Sequence, residues 1–458
     1  MKLRRTFAAT FAVTAAIAAA GISPVSAAST VNGGGSSFVA NLVDICSAQY
    51  NRNTLPNPEK DTVSYSSVGS GTGKTNFAAG TYKFGATDSL YSSGAPANFV
   101  YVPLVAGPIG VGYRLDGVTP ADAPVQLKAE TVAKIFAGTV TVWNDPSIIA
   151  DNKSTTVTAV KKTVKNGVTV TAAKSGTKVS LKVVATPAAI KKFKNKYVTI
   201  SRTSATGKVT DVLTSKISKL LTKSVAYSKG STYATKVGNV SLGSVTVDDT
   251  IVGTTLTLPA TPIVVAYRSG TSGTSNNFTD YLNKTMPSIW TKPANDSFTT
   301  AFPGTLPTNG TFQAASGSDG VAEYVRTHNG AITYTELSYL EERAAGGVRS
   351  AAIQNNSLAY VLPSSAASAE FFAEAAVDEA GTVTKDYTVK SATAYMINAI
   401  AYGLAYKAAS TDNAAVKSYF SYFLNSCSPK NAAGAGYAPL SGSILTKALA
   451  QVAKINAG

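Results

Sequence analysis

Four separated stretches of this 458-residue chain repeat one pattern: a short apolar or alternating run meets Gly and Ser/Thr, and helical periodicity begins. They lie at residues 33–38, 69–74, 267–275 and 316–320. The fullest is Tyr267-Arg268-Ser269-Gly270-Thr271-Ser272-Gly273-Thr274-Ser275, after the apolar residues 262–266 and before a helix expected from Asn277. A strand that turns straight into a helix restricts the chain to an α/β architecture. It also leaves several helix N-termini, whose free N–H groups attract anions, beside hydroxyls and one guanidinium. Charge is scarce at these turns: Arg268, and Asp88 at the end of the short strand 84–88. Such a set suits a small, desolvated oxyanion held mostly by neutral donors at the carboxyl ends of strands. Taken singly, each stretch reads equally well as an ordinary capped helix or a Ser/Gly loop.

The first residues read as a secretory leader. Lys2, Arg4 and Arg5 precede an apolar run over 7–20, and small residues follow at 25–29, so cleavage is expected near Ala27 or Ala28. With no Cys at that point, no lipid anchor is expected, and no later run is long enough to span a bilayer. The sequence is therefore expected to be secreted, periplasmic or cell-surface associated. Cys46 and Cys427 are the two cysteines, and an exported protein leaves two states open for them, a bridge or two buried thiols. His328 is the single histidine. One His and two Cys do not make a usual zinc site, so neither metal nor cofactor is expected. A phosphoester hydrolase would need a metal cluster or an activated nucleophile, and the same scarcity argues against an enzyme.

The formal charge of +16 is local. Residues 151–259 hold 18 Lys/Arg against 4 Asp/Glu, and the leader holds three more cations, so the rest is near neutral. The basic segment is rich in Lys, Thr, Val and Ser. Alternation at 168–171 and 178–184 around Lys174-Ser175-Gly176 reads as a hairpin, and 214–223 as a short helix. It is expected to be a mostly β module inserted into the main fold. Its lysines either keep a sheet soluble or bind an anionic surface such as cell-wall polymer. Sparse aromatics and export argue against nucleic acid. Elsewhere, residues 99–113 read as a buried strand pair or a crossover between lobes.

On both sides of that insert the chain resembles the periplasmic or extracellular phosphate-binding protein of the bacterial high-affinity phosphate ABC importer, a class II-type solute-binding protein. The resemblance rests on the order and spacing of residues 33–38, 63–71, 84–88, Trp143-Asn144-Asp145, 263–282, 317–334 and 437–440. It implies a two-lobed α/β clamshell, the periplasmic-binding-protein fold, with the anion at the hinge. Carried over by position, the phosphate-binding residues would be Ser37, Phe38, Ser70, Asp88, Arg268, Ser272, Gly273 and Thr274. Ser37 stands where the family has Thr. Gly270 and Thr271 stand where it has Asp-Gly, which removes the carboxylate expected to hold the Arg268 fork. Partners implied are inorganic phosphate and the importer's membrane subunits, with the protein itself a monomer.

The lobes are then expected to be discontinuous. After a leader at 1–28, lobe 1 comprises 29–112 and 392–458. Lobe 2 comprises 113–150 and 259–391, interrupted by the insert at 151–258. Cys46 and Cys427 fall in one lobe on this division, which favours their bridge. The alternatives are a clamshell tuned to another oxyanion or phosphorylated ligand, and a wall-associated adhesion protein that works through its insert.

Overall fold

The computed structural model describes residues 28–456, apart from 53–56, 58, 154, 159, 176, 205, 229, 248 and 253–254. The leader expected over 1–28 lies outside the described residues, apart from Ala28. One strand, Phe99–Tyr113, organises the rest. Its sequence of Val, Ala, Gly and Pro carries no charge, and all of it but Phe99 and Tyr101 is buried. Residues 99–108 pair antiparallel with Asn398–Tyr406, and residues 109–113 pair antiparallel with Ala331–Glu336. A single strand therefore crosses between two lobes. Of the two readings of this stretch, the crossover is the one realised.

On one side of the crossing strand, Thr30–Gly35 lies between Thr62–Ser67 and Phe84–Thr87, parallel to both. On the other, Val264–Arg268 lies between Phe312–Ala315 and Ala331–Glu336, again parallel to both. Together these form a nine-stranded sheet, with Arg349–Ser350 as a side branch. One large apolar core spans both halves, from Val31 to Ile455, and a smaller one packs Ala266, Val325 and Leu340 in the second half. Parallel strands place their carboxyl ends together, so the turns after Gly35, Ser67, Thr87, Arg268 and Ala315 all open towards the middle.

Two boundaries differ from the sequence expectation. The glycine run at 33–35 is the end of the first strand and not a turn, and the helix after it begins at Ala40. The reason is packing: a Cβ at Gly33 would collide with the Phe84 ring. Likewise the helix after the second strand starts at Ser70 and runs to Ala78, so Gly71 and Gly73 sit inside its first turn. Cys46 and Cys427 are bridged across a sequence separation of 381, tying the helix Ala40–Arg52 to the turn Phe423–Cys427.

The basic segment forms two four-stranded antiparallel sheets and one short helix, Pro187–Lys192. The first sheet holds Val160–Lys165, Val168–Ser175, Lys178–Ala185 and Leu220–Ala226. The second holds Val209–Lys216, Tyr197–Thr203, Thr232–Val237 and Val240–Thr246. The expected helix at 214–223 is absent: these residues end one strand and begin the next. Thr214, Ser215 and Lys216 pair with Tyr197–Thr203, and Leu220, Leu221, Thr222 and Lys223 with Lys178–Ala185, and that pairing outweighs a local period of helical length. Strict alternation buries Val179, Leu181, Val183 and Ala185 while Lys178 and Lys182 stay outside. The module has its own core, from Val168 to Val247, which shares no residue with the main one. It joins the body through the two-stranded ribbon Thr155–Thr158 and Asp249–Val252. Replacing residues 155–252 with a short Gly/Ser linker should leave a soluble body with native circular dichroism and a cooperative melt. Aggregation or a molten spectrum would show that the two cores depend on each other.

Candidate functional site

The first lobe contributes three turns. After Gly35 the chain gives Ser36 and Ser37. Ser36 Oγ donates to Asp88 Oδ1 at 2.6 Å and accepts from the Phe38 N–H at 3.0 Å. After Ser67 comes Ser70, at the first position of its helix. Its Oγ lies 3.3 Å from Asp88 Oδ2 and accepts from the Asp88 N–H at 3.2 Å. Asp88 itself follows the strand Phe84–Thr87. Its backbone carbonyl accepts from Asn277 Nδ2 at 2.6 Å. The Asn277 Oδ1 accepts in turn from Lys385 Nζ at 2.7 Å, and that lysine pairs with Asp280. The aspartate is thus fixed from both faces.

The second lobe contributes the strand end at Arg268 and two helix starts. Arg268 Nη1 donates to Ser318 Oγ at 3.2 Å, and the Arg268 N–H points to the Tyr334 hydroxyl at 3.4 Å. Ser272 caps the helix Gly273–Thr285, its side chain accepting from the Ser275 N–H. Gly273 has to be glycine because a Cβ there would lie 2.6 Å from Ser70 Oγ and 2.7 Å from Asp88 Cβ. The helix start therefore rests directly on the aspartate. Ser318 lies in the first turn of the helix Gly317–Thr327, and its Oγ meets Ser37 Oγ at 2.9 Å, so one hydroxyl pair joins the lobes. At the outer rim Gly71 N–H donates to Thr271 O, and Lys74 Nζ donates to Asp296 Oδ2 at 2.8 Å and to Ser89 Oγ at 3.0 Å.

Ser37, Phe38, Ser70, Asp88, Arg268, Ser272, Gly273 and Thr274 are all buried. Ser70 contacts Asp88, Gly273 of the 272–274 turn rests on both, and Arg268 lies near enough to act on the Asp88 carboxyl. Phe38 stands apart in one respect: its N–H is taken by Ser36 Oγ, and its carbonyl by the Tyr437 hydroxyl at 2.6 Å. Two buried donors here have no protein partner, Arg268 Nε and Thr274 Oγ1. Burial drives the electrostatics. It pushes the Asp88 carboxyl up to about 7, against the opposing pull of Ser36, Arg268 and Ser70. Burial also raises the Glu336 carboxyl well above its ordinary range and lowers the Arg268 guanidinium. Among the described residues, no cluster of three or more His, Cys, Asp or Glu side chains is placed to hold a metal.

Sequence reasoning passed over Ser36, Ser318 and Glu336. Ser36 sits beside a residue that was singled out, and Ser318 lies in the fourth Gly/Ser turn, so both had a visible signal. Glu336 had a weaker one: a carboxyl closing an otherwise uncharged strand.

Comparison with known proteins agrees with this architecture. The family described as the PBP superfamily domain matches residues 23–250 and again residues 147–426. "Phosphate-binding protein PstS 2" of Mycobacterium tuberculosis is 25% identical over 290 residues, covering 61% of this chain and 47% of its own length. "Phosphate-binding protein PstS" of Xylella fastidiosa is 24% identical over 361 residues, covering 78% of this chain and 65% of its own length. The chain thus spans about half of the first relative and just under two thirds of the second. Among solved structures, a high affinity periplasmic phosphate-binding protein (PfluDING), bound with phosphate at pH 8.5, superposes with a TM-score of 0.55 at 17% identity. That alignment covers 92% of this chain and 93% of the other, a likeness of fold. With one family description matched across both lobes and a two-lobed relative superposing over nearly the whole chain, this protein belongs to the PBP superfamily.

Proposed function

We propose that this protein is an extracytoplasmic solute-binding protein that captures inorganic phosphate between its lobes and delivers it to an ABC importer. One observation carries the reading. Asp88 and Arg268 are both buried among hydroxyls and helix starts, and the buried donors Arg268 Nε and Thr274 Oγ1 have no protein partner. Phosphate-binding protein is also the printed description of both relatives above. The lobes in this reading are 29–112 with 392–458, and 113–391 without the insert, hinged on the crossing strand. Closure over the ligand is supported by the rim contacts Lys74–Asp296 and Gly71–Thr271. The chemistry asked of the site is capture and release, with no bond made or broken.

The proton decides between oxyanions. Phosphate keeps a proton near neutral pH and sulfate has none. An ionised Asp88 can only accept, so it pairs with a protonated oxyanion and repels a bare one. Because Asp88 titrates at about 7, the rule should weaken in acid. There a protonated Asp88 can donate to either anion. Arg268 supplies the fixed positive charge and two further donors.

The insert supports a second contact. Lys191, Lys192, Lys194 and Lys196 are exposed within one short stretch at the end of its helix. This cationic edge, carried on a separate core, suits an anionic cell-wall polymer that would hold an exported protein near its importer. The protein would act as a monomer.

Two outcomes follow from the buried carboxyl. In calorimetry, the preference for phosphate over sulfate should fall at least tenfold between pH 8 and pH 5.5. Asp88→Asn should show the small preference at both pH values. A wild-type preference that is independent of pH, or an unchanged one in the variant, contradicts this role. The second concerns stability of the ligand-free protein. An unfolded aspartate ionises near 3.9. Between about pH 4 and pH 7 the folded protein keeps a proton that the unfolded chain has lost, so this group's contribution to stability falls as pH rises through that window and is flat above it. Asp88→Asn should therefore be more stable than wild type at pH 8 in chemical denaturation, with the gain shrinking towards pH 4.5. A gain that is equal at both pH values would rule the linkage out.

A further inference from the structure

Asn277 lies in the second turn of the helix Gly273–Thr285 and is 4% exposed. Its Nδ2 donates twice, to the Asp88 carbonyl at 2.6 Å and to the Gly273 carbonyl at 2.8 Å. Its Oδ1 accepts from Lys385 Nζ at 2.7 Å. The two carbonyls can only accept and the ammonium can only donate. All three neighbours therefore demand the same orientation of the amide. Turned over, it would set its oxygen against two carbonyl oxygens and its NH2 against an ammonium. Asp88 and Gly273 are also the residues that meet at the anion site, where a Cβ on Gly273 would lie 2.7 Å from Asp88 Cβ. One carboxamide thus grips both main chains where the carboxyl and the helix start come together.

Lys385 is held in turn. Its Nζ pairs with Asp280 Oδ2 at 2.7 Å, and that oxygen also accepts from the Tyr387 hydroxyl at 2.9 Å. The stretch carrying Lys385 straddles the lobes. Two residues before it, the Val383 N–H donates to the hydroxyl of Tyr402, in the first-lobe strand Asn398–Tyr406. Two residues after it, Tyr387 reaches Asp280 on the second-lobe helix. A cavity of about 210 Å³ lies here, bordered by Asp88, Asn277, Asp280, Lys385, Ile400 and Tyr402. These polar contacts, and not close packing, span the gap.

We propose that Asn277 and Lys385 are positioning residues of the anion site: Lys385 fixes the Asn277 carboxamide in the one orientation that ties Asp88 of the first lobe to Gly273 of the second. This inference rests on reading the hollow as an oxyanion site. Neither side chain needs to touch the ligand. The amide sets where the Asp88 carboxyl stands relative to the helix start at Ser272, Gly273 and Thr274. The cation on its oxygen polarises the amide and strengthens both of its donated bonds. Asp280 balances that cation on the side away from Asn277, so the lysine is anchored without a carboxylate being added at the anion itself.

The test is a double-mutant cycle on phosphate and sulfate affinity, read by calorimetry with the full-length mature protein. Wild type comes first. If it fails to bind phosphate, the oxyanion reading itself fails, and this proposal fails with it. Given wild-type binding, Asn277→Leu and Lys385→Met should each raise the phosphate Kd at least tenfold. Each should also shrink the preference for phosphate over sulfate at least threefold, because the displaced group is the carboxyl that tells the two apart. Lys385→Arg keeps a charged donor, and the cavity leaves room for its longer head, so it should stay within threefold of wild type. In the Asn277→Leu background, Lys385→Met should add less than threefold, because both residues act along one path. The proposal is overturned if Lys385→Met binds phosphate as wild type does, if Lys385→Arg is as weak as Lys385→Met, or if the two losses multiply in the double variant. It is also overturned if both anions weaken by the same factor, which is what a general loosening of the lobes would give. Should Asn277→Leu fail to fold, the two Lys385 variants decide by the same readouts.

Discussion

Desolvation of Asp88 is the constraint from which the other features of the hollow follow. Taking a carboxyl out of water is costly unless hydrogen bonds or charge replace the lost hydration. Here replacement is partial. Two serine hydroxyls and a more distant guanidinium soften the cost, and burial still pushes the carboxyl up to about 7. A group poised in this way is sensitive to the protons of whatever lies beside it. Its hydrogen-bonding partners Ser36 and Ser70 are neutral, and Gly273 brings a helix start so close that no side chain could intervene. Neutral dipoles hold an anion without pairing with each other in its absence as tightly as ions would.

The architecture places these groups by a simple device. Five turns from two parallel arrays meet because a single long strand belongs to both. That strand changes partners between Pro108 and Ile109, and Glu336 lies opposite the change. Hinge and site are therefore neighbours, so small rotations about the crossing strand alter the Ser37–Ser318 contact first. The insert stands outside this mechanics. Its core is separate and its connection is a two-stranded ribbon.

Much of this was legible in the sequence because strand-to-helix turns are local events. The Gly/Ser runs between an apolar stretch and a helical one, and the charge of Arg268 among them, are visible in the residues, whereas Ser37, Ser70 and the 272–274 turn follow as binding residues only from the resemblance to the phosphate-binding family. Asp88 could be named as a carboxylate ending a strand. What escaped depended on distant packing. Gly33 and Gly34 read as a turn, but they are strand residues that make room for aromatic rings, which only the neighbouring strand reveals. Residues 214–223 read as a helix because a short apolar run fits either period, and pairing partners dozens of residues away settled the matter. Glu336 escaped because a single acid gives no sign of its burial.

The central claim is that one proton is shared between Asp88 and a bound oxyanion inside a dry pocket. Phosphorus NMR of the complex tests it most directly. The account predicts a bound phosphate resonance, separate from free phosphate, whose movement between pH 8 and pH 5.5 in the wild type is altered in Asp88→Asn. A bound signal with the same pH dependence in both proteins would mean that Asp88 is not the anion's partner.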